Sequence, residues 1–257
     1  LRLSSAASDV YKRQHIDTMF FSVLLGALFL FVFTRAAQNF SLDKPTKLQL
    51  FIEMMIDFIN GVVKGTFKAA QNSLIAPMAL TIFFWVLLMN VMDLVPVDLI
   101  PYPAELLGIP YLKVVPTTDL NLTAALALSV FVLYLFYSIK SKGFVGFIKS
   151  ISLHPFGPWM LPANLFIEII DLIAKPLSLA LRLYGNLYAG EMIFLLIAGM
   201  VSINLTSFMG LGLNLAGITL SLIWAIFHIL IVVLQAFIFM MLTVVYMNMA
   251  HEKFEQH

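Results

Sequence analysis

Apolar residues dominate this chain in long runs, and short polar gaps divide those runs into elements. Residues 1–18 are polar, lack the apolar core of a secretory leader, and read as a tail; residues 1–14 differ in character from everything after them. A first apolar run, Met19–Phe33, closed by Arg35, extends to about 20 residues, the length of helix that crosses a hydrocarbon core. Between Ser41 and Leu74 the pattern changes. Leu48, Phe51, Ile52, Met55, Ile56, Ile59, Val62 and Val63 recur at helical spacing, while Glu53, Asp57, Lys64 and Lys68 fall elsewhere, which predicts an amphipathic helix lying on a membrane surface.

Pro77–Met92 is the second expected span, followed by a loop rich in proline (Pro101, Pro103, Pro110, Pro116). The third is Leu120–Ile139, ended by Lys140, Lys142 and Lys149. Two longer runs follow, Ala163–Met200 and Leu213–Ala250. As helices each would be nearly 57 Å long, so each must be tilted, bent or partly outside the lipid. Pro176 offers a bend in the first, and a loop containing Gly210 and Gly212 is expected to close the pair into a hairpin. The expected architecture is an all-α integral membrane protein: about five crossings, an amphipathic surface helix, and a single membrane domain over residues 19–257.

Composition agrees with that pattern. Hydrophobic residues make up 61% of the chain, charged residues 11%, and mean hydropathy is +0.97, far from the quarter or so of charged residues usual in soluble domains. A formal net charge of +1 argues against a nucleic-acid partner. The absence of cysteine excludes a disulfide framework and thiol chemistry. Basic residues gather between spans one and two (Arg35, Lys44, Lys47, Lys64, Lys68) and after span three, whereas the segment from Asp93 to Asp119 carries Lys113 against several acids. By the preference of Lys and Arg for the cytoplasmic side, the N-terminus is expected outside and the C-terminus inside; Arg2, Lys12 and Arg13 of the tail oppose this.

Against this background the intramembrane polar residues carry the functional signal. A guanidinium at membrane depth costs at least about 3 kcal/mol, so Arg182, flanked by apolar residues, must face protein or water. At about 100° per residue, Glu168, Lys175, Ser178 and Asn186 fall within about 40° of Arg182, and Glu191 is turned to the opposite side. On the final helix Ser221, Trp224, His228 and Gln235 form a second stripe. A helix pair carrying these groups in hydrocarbon reads as an ion path, with Glu191 and His228 as a proton-relay pair. Each position also has a structural reading. Arg182 could snorkel or be ion-paired, Glu191, His228, Gln235 and Asn186 could glue helices together, and Ser178 could bond its own backbone. Asn90 and Asp93 could cap a span end, and Glu168 and Lys175 could form an exposed pair. His15, His154, His251 and His257 read as solvated loop or terminal residues, and Gly185, Ala189 and Gly190 as close-packing positions.

Other classes fit less well. A haem subunit needs paired axial histidines at depth, and His228 alone qualifies. No G-x-S-x-G or H-E-x-x-H motif supports a hydrolase. A proton- or anion-coupled secondary transporter remains the alternative, though no internal repeat relates the two halves.

The set Leu-Met-Asn90-Val-Met-Asp93-Leu-Val-Pro, Lys175-Pro-Leu-Ser-Leu-Ala-Leu-Arg182-Leu-Tyr-Gly-Asn186-Leu-Tyr-Ala-Gly-Glu191 and Trp224-Ala-Ile-Phe-His228-Ile-Leu-Ile-Val-Val-Leu-Gln235 resembles subunit a of the F-type ATP synthase, bacterial type, from about His15 to the end. The resemblance implies a non-catalytic, proton-conducting stator subunit in a bacterial inner membrane. Its implied partners are a rotating c-subunit ring, the b subunits of a peripheral stalk and the other synthase subunits, and no cofactor or metal is implied. Two aqueous half-channels would load and unload the ring carboxylates, with H⁺ favoured over Na⁺. By resemblance Arg182 faces the ring carboxylate; Glu191, His228, Gln235, Asn90 and Asp93 line the inlet; Ser178, Asn186, Lys175 and Glu168 lie towards the outlet.

Overall fold

A backbone amide left unpaired in hydrocarbon costs several kcal/mol, so a chain this apolar resolves into helices that satisfy their own backbones. A computed structural model describes residues 2–42, 44–66, 74–95, 99, 101–106, 114–153, 158–201 and 208–251, and among these it contains helices and no strand. Lys68, Pro110, Lys113, His154 and His257 lie outside the described residues.

Helix α1 covers Arg2–Gln38, so the polar tail expected from the sequence enters as a continuation of the first helix, whose apolar part is Ile16–Gln38. Helix α2, Lys47–Thr66, starts at Thr46, whose hydroxyl accepts the Gln49 backbone N–H at 3.2 Å. It buries Ile52, Ile59 and Val63 against the bundle, and Phe58 meets Phe237 with ring centroids 6.0 Å apart. Leu50, Phe51 and Met54 stay exposed on its far side. Helix α3, Ile75–Val91, passes directly into a 3-10 turn at Met92–Leu94. It is the most enclosed of the early helices: Ala79, Phe83, Phe84, Val86 and Met89 are all buried. The Trp85 indole N–H donates to the Ser22 carbonyl at 2.9 Å, tying α3 to α1.

After the short α4, Pro101–Leu106, comes a 3-10 turn at Pro116–Thr118 whose three residues are all buried where α1, α3, α5 and α6 converge. Asp119 then caps α5, Leu120–Leu153, by accepting the Asn121 N–H at 2.9 Å. The sequence suggested an end at Ile139. The helix instead runs past Lys140 and Lys142 to a break at Gly143 (φ 72°, ψ 160°), a backbone conformation open to glycine and strained for any residue with a Cβ, and a second helical segment carrying Lys149 continues to Leu153.

The two long elements are α6, Leu161–Val201 (41 residues), and α7, Phe208–His251 (44 residues). At 1.5 Å per residue they reach roughly 60 Å, about twice the hydrocarbon thickness. Pro176 sits inside α6 without ending it. Gly210 and Gly212, expected in the loop between them, lie inside the first turns of α7, because glycine in an apolar helix does not by itself stop it.

Among the described residues four helices are long and apolar enough to cross a membrane: α1, α3, α5 and α7. The fifth expected crossing, α6, is absent from this set, being the long helix that carries Glu168, Asp171, Lys175, Arg182 and Glu191. It nevertheless packs along α5 and α7, and its Leu179, Leu183 and Leu187 are almost fully buried. The core lies between these residues, the buried face of α3, and Val232, Ala236, Phe239, Met240, Val244 and Met247 of α7.

Candidate functional site: a polar line through the bundle

Helix α7 has two different halves. From Leu211 to Leu234 one side stays exposed, with Leu215, Ile218, Leu222, Ile226, Ile229 and Val233 at helical spacing, whereas beyond Gln235 the helix sinks into the core. His228 and Gln235, two turns apart on its inner side, are 1% and 2% exposed. Neither sits in an apolar void.

The His228 Nε2 lies 2.7 Å from Asp93 Oδ2, joining the middle of α7 to the 3-10 turn that ends α3. The Asp93 side chain is 5% exposed, so both partners are withdrawn from solvent. One turn before Asp93, the fully buried Asn90 donates from Nδ2 to the Val232 carbonyl at 3.4 Å, which fixes the same two helices a turn further along. The sequence paired His228 with Glu191. Glu191 is half-buried and follows Gly190, and it is Gly190 that abuts the imidazole: a Cβ there would lie 2.6 Å from His228 Nδ1. The Gly190 carbonyl also accepts the Trp224 indole N–H at 3.4 Å. Phe194, one turn on, meets the His228 ring edge-on at 5.4 Å.

Further along the hairpin, Asn186 Nδ2 donates to Gln235 Oε1 at 2.7 Å. Moving from Gly190 to Asn186 on α6 corresponds to moving from His228 to Gln235 on α7, so the two helices run antiparallel through the site. One turn before Asn186 comes Arg182, half-buried, with Nη2 donating to Ser178 Oγ at 3.4 Å. Among the described residues no acid pairs with Arg182. Ser178 and Asn186 are exposed, and so are Ile173, Leu177, Leu181 and Tyr188 on the adjoining side of α6. The guanidinium therefore stands where the interior polar line reaches the open face of the hairpin.

Lys175 departs from the stripe expected on an ideal helix. Its side chain is 9% exposed and turned into the bundle, with Nζ 2.6 Å from Asp171 Oδ2 and 5.0 Å from the centre of the Tyr134 ring on α5. Glu168 is half-buried, a turn before Asp171. Asp171 is the residue the sequence reading passed over, although its spacing of four from Lys175 was visible. Buried polar atoms without a hydrogen-bond partner among the described residues include Asn90 Oδ1, His228 Nδ1, Thr117 Oγ1 and Ser138 Oγ, and also Lys175 Nζ, whose contact with Asp171 is an ion pair. Such atoms are where water finds hydrogen bonds inside proteins. No group of three His, Cys, Asp or Glu among the described residues is placed to hold a metal ion.

The family model for the ATP synthase A chain matches residues 18–248. The chain belongs to the F-type ATP synthase subunit a family. Relatives named ATP synthase subunit a from Shewanella baltica and Shewanella oneidensis are each 57% identical over 239 residues, covering 93% of this chain and 88% of theirs. The relative from Shewanella loihica is 58% identical over the same share. The family match includes every polar position described above, and with four apolar spans the subunit a chain is a multi-pass, all-helical membrane protein.

Proposed function

We propose that this chain is the proton-translocating stator subunit of an F-type ATP synthase, and that Arg182 is the fixed cation past which the carboxylates of a rotating c-subunit ring travel. The observation that carries this reading is the state of Arg182: permanently charged, at the open apolar face of α6, with one 3.4 Å hydrogen bond to Ser178 and no acid beside it among the described residues. A charge held in that setting is stabilised when an anion comes from another molecule. Because arginine stays protonated at physiological pH, it attracts an ionised carboxylate without relaying protons itself.

Two half-channels follow from the division of polar groups on either side of Arg182. Asp93, His228, Glu191, Asn90 and Gln235 form the inlet, where carboxylate and imidazole groups pass protons and the amides, with water at the unpaired buried atoms, bridge the gaps. Asn186, which the resemblance puts towards the outlet, is assigned to the inlet instead because its amide bonds Gln235. The paired Asn186 and Gln235 end this path one turn from Arg182. Ser178, Lys175 and Glu168 belong to the outlet. The subunit itself performs no bond chemistry, and its product is rotation of the ring.

In this reading α6 is the fifth crossing, its charges facing water-filled passages and the ring rather than lipid. The lysines of α2 and α5 face the cytoplasm of a bacterial cell, the N-terminus lies outside, and the stalk b subunits hold the chain against the torque. Co-expression with the c subunit, followed by pull-down and proton-uptake measurement in vesicles, tests the proposal. Recovery of a c-ring complex with ring-dependent uptake supports it, whereas uptake by the chain alone points to a transporter.

A further inference from the structure

Helix α5 does not stop at the end of its apolar span. Beyond Gly143 the chain continues as a second helical arm to Leu153, and Asn164, fully buried, pins that arm to the start of α6 by donating from Nδ2 to the Ser152 carbonyl at 3.2 Å. The arm is fixed, yet its outer side is apolar: Phe144 and Val145 are about two-thirds exposed, and Ile148 nearly half. Lysines bracket this apolar side. Lys149 is exposed within the arm, and Lys140, exposed just before the break, holds its ammonium 6.0 Å from the centres of the Phe136 and Tyr137 rings.

An apolar strip beside cations, placed where a span has just ended, has the character of an element seated at the boundary between acyl chains and headgroups. The Tyr137 ring beside Lys140 adds to this, since a ring with a polar rim favours that depth. A water-facing arm has no reason to expose Phe144, Val145 and Ile148 together, and a span continuing into hydrocarbon has none to carry Lys149.

We infer that the Gly143 break forms an interfacial foot, and that Phe144, Val145 and Ile148 sit on acyl chains while Lys140 and Lys149 hold the phosphate of an anionic phospholipid. Charge complementarity selects the occupant: two exposed ammonium groups beside an apolar strip match a lipid that presents a phosphate above hydrocarbon. The foot fixes the depth of α5, and through Asn164 and Ser152 it sets the depth of the start of α6, the helix that carries Arg182. This inference needs membrane insertion alone and stands apart from the proton path.

The full chain, purified into nanodiscs containing equal phosphatidylglycerol and phosphatidylcholine, tests it by mass spectrometry of the retained lipid. Phosphatidylglycerol is retained preferentially by the wild type. Its preference falls by up to roughly thirtyfold in Lys140→Gln/Lys149→Gln, the combined effect of two surface lysines, and survives in Lys140→Arg/Lys149→Arg. In Val145→Asn/Ile148→Asn both lipids are lost together, while helix content by circular dichroism stays unchanged in every variant. Undiminished preference in the glutamine variant, or displacement of the lipid by millimolar inorganic phosphate, overturns the inference.

Discussion

His228 Nε2 stands 2.7 Å from Asp93 Oδ2, with both side chains almost closed to solvent, in the middle of a bundle of apolar helices. One contact thereby joins the end of α3 to the middle of α7, and it brings together two titratable groups of the proposed inlet.

Removing the acid leaves His228 buried without its only described hydrogen-bond partner, because its Nδ1 already has none among the described residues. Asp93→Ala therefore costs about 1–3 kcal/mol of stability by thermal unfolding in detergent, and it slows passive proton flow through the assembled complex. Asp93→Asn keeps a hydrogen bond and most of the stability but cannot carry a proton. It separates the two effects, since flow falls while the melting temperature holds.

Space at Gly190 is as specific as the pair. A methyl group there would run into the imidazole, whose Nδ1 would be 2.6 Å from the new carbon. Gly190→Ala is expected to destabilise by about 1–3 kcal/mol through overpacking. The loss shrinks when His228→Ala is made in the same chain, and unfolding of the four variants measures the difference.

Asn186 and Gln235 make the interhelical bond nearest Arg182. Leucine at either position and at both, combined in a thermodynamic cycle, should give a coupling of about 0.6 kcal/mol, the usual size between membrane helices. A coupling indistinguishable from zero would mean that the 2.7 Å contact does not hold the hairpin together.

At Gly143 the backbone itself imposes the choice of residue. Nothing crowds a Cβ there, so the cost of Gly143→Ala comes from φ alone, about 1–3 kcal/mol in unfolding experiments. If that variant is as stable as wild type, the break after Lys142 is not a feature of the folded helix.

Much of the bundle was legible in the hydrophobic pattern, because burial in lipid or in a helical core demands long apolar runs. Ala163–Met200 and Leu213–Ala250 foreshadowed α6 and α7 to within a few residues. The sequence failed where three-dimensional neighbours decide. Gly210 and Gly212 looked like a loop but sit in a helix, and the span expected to end at Ile139 continues to a break at Gly143, after which a second helical segment runs to Leu153. The site was half visible. Unusual polar residues in hydrocarbon marked the candidates, and helical spacing put Ser178 and Asn186 on the side of α6 that carries Arg182. Spacing could not reveal that Asp93, 135 residues away, meets His228, nor that Lys175 turns into the bundle beside the Tyr134 ring of α5.

Arg182 tests the account most directly. In vesicles holding the complete synthase, Arg182→Ala should insert and assemble normally, abolish ATP synthesis driven by a proton gradient, and let protons leak between the two passages; Arg182→Lys should rescue it poorly, since a lysine can give up its proton. Gradient-driven synthesis that persists in Arg182→Ala at the wild-type rate would contradict a fixed cation between two half-channels.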